Sequence, residues 1–345
     1  MNICREIYEK ANVDVIVLFS KSNTFYLSGF ESSNCQIVIT KDDQYFVTDD
    51  RYINEANIVL QDRFKVLSGD IETINKLVGD AKRVGWDSDV PYSTYKLLYL
   101  NFGDRLVDIQ EIVEEIRMIK SQKEIDNIIK AQSITDYAFS EILKDLKEGV
   151  TEIEIAAKIE YIFLKNGAEI AFDSIVAFGE NGASPHAHRT NRPLKDGDLV
   201  TMDIGAKWNG YCSDMTRTVG FGRLSQEQIN VYNIVLNAQE TAENNIRAGM
   251  TGQQADLIAR DIIKNAGYGE YFTHSLGHSV GVDIHERIRL APSAIEDVIK
   301  NNMVMTVEPG IYIPNKFGVR IEDTVLIKDN IANKLAKSDK KLIIL

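Results

Sequence analysis

Through the first hundred residues the apolar positions come in short β-rich runs broken by turn-formers. Val13-Asp14-Val15-Ile16-Val17-Leu18, Gln36-Ile37-Val38-Ile39-Thr40 and Tyr45-Phe46-Val47-Thr48 read as strands, with Lys41-Asp42-Asp43 turning the second into the third. Helical spacing appears around residues 51–58 and 70–79. The pattern predicts a small mixed α/β domain over residues 1–115 that carries almost none of the chemistry. Beyond it the period changes. Ser121-Gln122-Lys123-Glu124 has the form of a capping box, and Ile125, Ile128, Ile129, Ile134, Ala138, Ile142 and Leu146 follow it at helical spacing.

Residues 116–345 carry a faint repeat at an offset of 100 positions. Gly149-Val150-Thr151 recurs as Gly249-Met250-Thr251. Each threonine opens a further capping box, with Glu154 or Gln254, and each helix stops near a glycine, Gly167 or Gly267. Helical stretches over 122–147 and 225–247 precede these turns. Strand-like stretches over 171–180 and 198–222 follow the first, and 303–313 and 318–328 follow the second. Two helices and then several strands, twice over, predict a pseudo-two-fold α+β domain, chance similarity being the alternative because identity across the repeat is slight.

Composition narrows the function classes. The 345 residues allow two domains, and 44% hydrophobic content fills two ordinary cores. Fifty-one acidic against 39 basic residues leave a net charge of -12, which argues against nucleic acid as a partner. The aliphatic runs are far shorter than the roughly 20 residues of a membrane span. The start Met1-Asn2-Ile3-Cys4-Arg5-Glu6 lacks the pattern of a secretory signal, so a cytoplasmic location is expected. Cys4, Cys35 and Cys212 are odd in number and widely spaced, which suits reduced thiols.

The densest local signal runs from Leu199 to Thr218. Asn209-Gly210 between two β-like runs predicts a two-residue hairpin loop pairing Trp208 with Tyr211. Counting back, Asp203 faces Thr216 and Asp214 faces Gly205. The two aspartates are then diagonal neighbours on one face, their Cα atoms roughly 7–8 Å apart. Carboxylates that close repel unless a cation lies between them, although an isolated hairpin could carry both as solvated surface acids. In the second half, Glu308 and Glu322 each stand in a strongly apolar β run, where an unpaired charge is costly. They occupy places resembling those of Asp203 and Asp214.

All five histidines fall between 186 and 285: His186, His188, His274, His278 and His285. Gly277 and Gly281 around His278 allow close backbone approach. Four carboxylates and one imidazole make a hard, oxygen-rich site. Such a set suits two divalent ions such as manganese, cobalt or zinc, and an ion pair of this kind can share a bridging hydroxide.

At these residues the chain resembles the Xaa-Pro aminopeptidase and prolidase branch of the creatinase/methionine-aminopeptidase, or pita-bread, superfamily. The resemblance covers nearly the whole length, including Ile116-Arg117-Met118-Ile119-Lys120-Ser121 at the junction. It implies a pita-bread catalytic domain over 116–345 preceded by a creatinase-like α/β domain over 1–115. It also implies that Asp203, Asp214, His278, Glu308 and Glu322 ligate two divalent ions, manganese foremost and cobalt or zinc as alternatives. The implied reaction is attack by a metal-bridging hydroxide on the bond ahead of proline, with Glu308 as proton shuttle. His186 and His285 would stand beside the substrate, His274 would line the same pocket, and Arg320 and Thr216 would orient the ligands, Arg320 from the strand face it shares with Glu322. A homodimer is implied as well.

The chain departs from the family pattern at Arg287-Ile288-Arg289, where relatives commonly carry proline, and at Asn302, where glycine is usual. His188 has no counterpart and is expected on a surface or loop. A dipeptidase would need a cation for the free proline carboxylate, for which Arg287 and Arg289 are candidates, the alternative being two solvated arginines. A non-catalytic peptide-binding protein on the same fold is the remaining alternative.

Overall fold

Period-2 patterning in the N-terminal region produces a sheet whose faces belong to two different cores. The computed structural model describes residues 3–345. Its contacts divide the chain into Met1–Arg117 and Met118–Leu345. In the first unit, Val15–Leu18 pairs antiparallel with Cys35–Ile39 and parallel with Val84–Trp86, at the centre of a six-stranded mixed sheet. Ile16, Leu18, Ile37 and Phe46 face one core, and Val15, Val17, Val38 and Val47 the other. Helices Ile53–Leu60 and Ile71–Val78 lie where the spacing placed them.

The second unit shows the repeat as architecture. Helices Gln122–Ile142 and Glu152–Lys165 precede strands Ile175–Phe178, Leu199–Ile204 and Met215–Gly220. Helices Gln226–Asn245 and Gly252–Asn265 precede Gly277–Ser279, Glu286–Leu290, Val304–Val307 and Asp323–Lys328. Each half has its own core, one running from Ile134 to Val219 with Ala336, the other centred on Val231 to Ile327. The capping boxes at Ser121, Thr151 and Thr251 all form. Gly167 and Gly267 end their helices at φ +77° and +89°, which glycine adopts without strain.

Two details differ from the sequence pattern. Ile129, in phase with the apolar stripe, is 41% exposed, and Leu146 is buried past the end of its helix. No helix among the described residues is long and apolar enough to cross a membrane. Cys4, Cys35 and Cys212 are all buried, and among the described residues none forms a disulfide.

Candidate metal centre

The hairpin follows the register counted from its turn. Trp208 pairs with Tyr211, Lys207 with Cys212 and Thr216 with Asp203. Asn209 and Gly210 have φ of +47° and +78°, as a two-residue loop with left-handed central residues requires. The ladder narrows at Gly205, where an added Cβ would stand 2.2 Å from the Ser213 carbonyl oxygen. Buried hydroxyls brace this point, with Ser213 Oγ 2.9 Å from Thr135 Oγ1 and both accepting from the Ala206 amide. Asp203 and Asp214 are thereby held on either side of a fixed narrowing.

Glu308 and Glu322 stand at strand corners, not inside β runs. Glu308 follows Val304–Val307 and precedes Pro309, which has no N–H to continue a ladder. Glu322 lies between Phe317–Arg320 and Asp323–Lys328. Arg320 ends its strand and Glu322 lies outside both strands, so the two do not share one strand, yet both side chains reach Thr216. Thr216 Oγ1 donates to Glu322 Oε2 at 2.7 Å and accepts from Arg320 Nε at 3.1 Å. Arg320 also donates to Asp203 Oδ2 at 2.7 Å.

Ligand atoms of Asp203, Asp214 and Glu322 lie within 4.8 Å of one another. His278 Nε2 is 3.6 Å from Asp214 Oδ2 and 3.4 Å from Glu308 Oε1. Its Nδ1 is 3.2 Å from the Ser279 carbonyl, which can only accept, so Nδ1 carries the proton and Nε2 keeps its lone pair. Thr306 Oγ1 links the two residues, accepting from the His278 amide and donating to Glu308 Oε1.

The electrostatics are those of anions short of a cation. Burial, then the charges of Glu322, Asp203 and Glu308, hold the Asp214 carboxyl well above the usual carboxylate range. Burial, then Glu308 and Asp203, do the same to Glu322. Burial pushes Glu308 up to about 8 against the opposing pull of Arg320. His278 is pushed down to about 3, by burial first and His285 second, and is neutral. Asp203 Oδ1 and Glu322 Oε1 are buried and accept no hydrogen bond, a costly state that a divalent ion would relieve. Four carboxylates with one neutral imidazole fit hard divalent ions.

These residues form the floor of a cavity of about 360 Å³. His186, His274 and His285 line it, together with Phe172, Pro185, Ile284, Arg289 and Arg320. The His285 ring packs edge-on to His278, centroids 4.2 Å apart, and burial lowers its pKa with help from Arg289. His274 has both ring nitrogens engaged. Nδ1 donates to the Ser275 carbonyl at 2.8 Å, and Nε2 accepts from the Tyr312 hydroxyl at 2.9 Å. Burial, then Arg320, pushes its pKa down to about 4. The Tyr312 oxygen in turn accepts from Arg320 Nη1 at 2.7 Å.

His188 is exposed and outside the cavity lining. Tyr312, Phe172 and Ile284 escape the sequence reading, although Tyr312 sits four residues past Glu308 and two past Gly310. Asn302 has φ +67°, a left-handed conformation that glycine and asparagine adopt most readily, and Ile288 has φ +77°, rare for a β-branched residue, immediately before Arg289.

The chain is similar to known proteins. A family model described as metallopeptidase family M24 matches residues 126–329, and one described as the creatinase/prolidase N-terminal domain matches residues 2–119. A Xaa-Pro dipeptidase of Pyrococcus horikoshii is 38% identical over 345 residues, 98% of this chain and 97% of the relative. Among solved structures, a Xaa-Pro dipeptidase from Bacillus anthracis is 37% identical with a TM-score of 0.94, covering 99% of this chain and 98% of the other. An X-Pro aminopeptidase from Thermotoga maritima is 36% identical with a TM-score of 0.92, with the same coverage.

Proposed function

The chain belongs to the metallopeptidases of family M24, and from that premise we propose that it hydrolyses the bond between an N-terminal residue and a following proline. One observation carries the reading: two buried carboxylate oxygens without hydrogen-bond partners, Asp203 Oδ1 and Glu322 Oε1, share a cluster with Asp214, Glu308 and the lone pair of His278. Asp203, Asp214, His278, Glu308 and Glu322 would hold two divalent ions, manganese first and cobalt or zinc as alternatives. When bound, such ions polarise a scissile carbonyl and acidify water to near neutral pH.

The chain's own groups supply the rest. Glu308 is the proton carrier: its carboxylate, 3.4 Å from His278 Nε2 in the cluster, would take a proton from the attacking water and give it to the proline nitrogen. His285, whose ring packs against His278 at the cavity wall, donates a hydrogen bond to the scissile carbonyl oxygen. His186 borders the substrate from another part of the wall. His274 acts through Tyr312, because neither of its ring nitrogens is open to a ligand. Arg320 and Thr216 fix the carboxylates. The protein is proposed to work as a cytoplasmic homodimer, which light scattering of the purified protein checks for assembly.

Restriction to dipeptides is the second reading, favoured by Arg289 in the cavity wall, where a guanidinium could pair with the carboxylate of Xaa-Pro. The test is hydrolysis of Ala-Pro, Ala-Pro-Ala and Met-Ala-Ala after chelation and re-addition of manganese, cobalt or zinc, with Asp214→Ala as control. Metal-dependent release of alanine from the proline peptides alone is the expected result, and the dipeptide-to-tripeptide ratio separates the two readings. An unchanged ratio in Arg289→Ala removes Arg289 from the argument. Three intact peptides with every metal, in a folded protein, would leave peptide binding without catalysis.

A further inference from the structure

Among the described residues of the second unit, Glu152, Asp256 and Asp323 are fully buried carboxylates outside the metal cluster, and Asp323 is paired with Arg217 and Lys340. Glu152 and Asp256 are both 0% exposed. Glu152 is the first residue of helix Glu152–Lys165, and its two oxygens receive five hydrogen bonds from neutral donors. Oε1 accepts from the Phe178 amide at 2.8 Å and Asn181 Nδ2 at 3.0 Å. Oε2 accepts from the Thr190 amide at 2.8 Å, Thr190 Oγ1 at 2.7 Å and Asn181 Nδ2 at 2.9 Å. Phe178 and Thr190 bracket the irregular segment that carries Pro185 and His186. Asn181 adds a bond to the His188 carbonyl inside it.

Asp256 does comparable work from the matching helix, Gly252–Asn265. It accepts from the Leu276 amide at 3.0 Å and holds Arg260 through both oxygens, at 2.9 and 2.6 Å. Arg260 then donates to the carbonyls of Phe272 at 3.0 Å and His274 at 2.8 Å, and lies over the Phe272 ring at 4.1 Å. The tied segment, 272–276, carries His274.

The repeat places Gly252 opposite Glu152. A Cβ at Gly252 would stand 2.1 Å from the Arg289 carbonyl oxygen, so no side chain fits there. The acid of the second half sits one turn later, on the same face of its helix. A buried carboxylate costs more than an apolar side chain unless donors converge on it; the donors to Glu152 come from the segment around His186, and those to Asp256 are the Leu276 amide and Arg260, which itself bonds the segment around His274. The N-terminal end of its helix further favours the Glu152 charge.

We propose that Glu152 and Asp256 are positioning residues, one in each half, that hold His186 and His274 at the wall of the cavity. The claim rests on the reading of those histidines as parts of a peptidase site. The variants are Glu152→Gln, which turns an amide N–H₂ toward existing donors, and Asp256→Asn, each made also in His186→Ala and His274→Ala backgrounds. Hydrogen exchange on the metal-free protein is the first readout. Glu152→Gln is expected to speed exchange across 178–190 by about tenfold or more while leaving 272–276 unchanged, and Asp256→Asn to do the reverse.

Xaa-Pro hydrolysis is the second. Each variant is expected to lower kcat/KM on the order of 10- to 100-fold through misplacement of its own histidine. Glu152→Gln should then cost less than about twofold when His186 is already alanine, and its full factor when His274 is alanine. Additive effects in both backgrounds, or exchange that is unchanged or faster in both loops, would overturn the proposal. If Glu152→Gln does not fold, Asn181→Ala removes two of the same bonds, and the one to the His188 carbonyl, at a partly exposed site and should act in the same direction. A wild-type protein inactive on every proline peptide refutes the peptidase reading, while the exchange pattern still decides whether the two acids hold their loops.

Discussion

Arg320 is the cation most deeply set among the carboxylates, and its removal gives a stability effect that can be worked from contacts. The guanidinium is 4% exposed and donates to Asp203 Oδ2 at 2.7 Å, Tyr312 Oη at 2.7 Å, Thr216 Oγ1 at 3.1 Å and the Pro185 carbonyl at 3.2 Å. Arg320→Ala leaves Asp203 with both oxygens unpaired in a buried cluster, since Oδ1 already has no partner. Breaking a buried ion pair from one side costs about 3–5 kcal/mol. At roughly 2–4 °C per kcal/mol, the melting transition of the metal-free protein should fall by roughly 6–20 °C. Arg320→Lys keeps the charge but not the fork, and should lose about 1.5–3 kcal/mol. Calorimetry of chelated and manganese-loaded samples is the assay. Added ions give Asp203 a substitute counter-charge, so the gap between loaded and metal-free transitions should be wider in Arg320→Ala than in wild type. A metal-free Arg320→Ala protein within about 0.5 kcal/mol of wild type would refute the reasoning, because such a value belongs to a surface substitution.

Three further outcomes follow from the same structure. Asp214 and Glu322 are held well above the carboxylate range and Glu308 at about 8, so the metal-free site holds protons at pH 7 and must release them on loading. Apparent metal affinity should therefore rise with pH, by up to about tenfold per unit for each proton released, and flatten above the raised values; calorimetric heats that are equal in buffers of different ionisation enthalpy would contradict this. Burial pushes the Cys4 and Cys212 thiols up to about 12, so a thiol reagent at pH 8 should label them only after denaturant is added, as counted by mass. Gly205→Ala drives a Cβ to 2.2 Å from the Ser213 carbonyl oxygen and 2.5 Å from Phe172. It should cost at least about 1–3 kcal/mol in urea unfolding and weaken metal binding, whereas Gly249→Ala, with nothing near its Cβ but φ +91°, should cost stability alone.

What the sequence discloses about this site depends on how local each cause is. The hairpin of Asp203 and Asp214 is legible because a two-residue loop and a period of two fix the pairing, and the Thr216–Asp203 pair falls where counting puts it. The capping boxes are legible for the same reason, since every partner lies within three positions. The corners at Glu308 and Glu322 are not, although Pro309 marks one of them: apolar runs on both sides mimic continuous strands. Ile129 fits its helical stripe yet meets solvent, because the period says which residues share a face and not how wide the covered face is. Tyr312 and Glu152 owe their roles to partners between 8 and 38 residues away, and Asp256 to Leu276, 20 residues on, as well as to Arg260 one turn along its helix, so no motif around them announces the contact with the cavity wall.

The measurement that tests the metal centre most directly is a titration of stripped protein with manganese, following bound ions and alanine release from Ala-Pro together. Activity absent at zero metal and rising to a plateau as two ions bind per chain, with both binding and activity lost in Asp214→Ala, is the expected result. Full activity in the stripped protein, or an Asp214→Ala variant that binds two ions and works like wild type, would contradict a metallopeptidase built on these five residues.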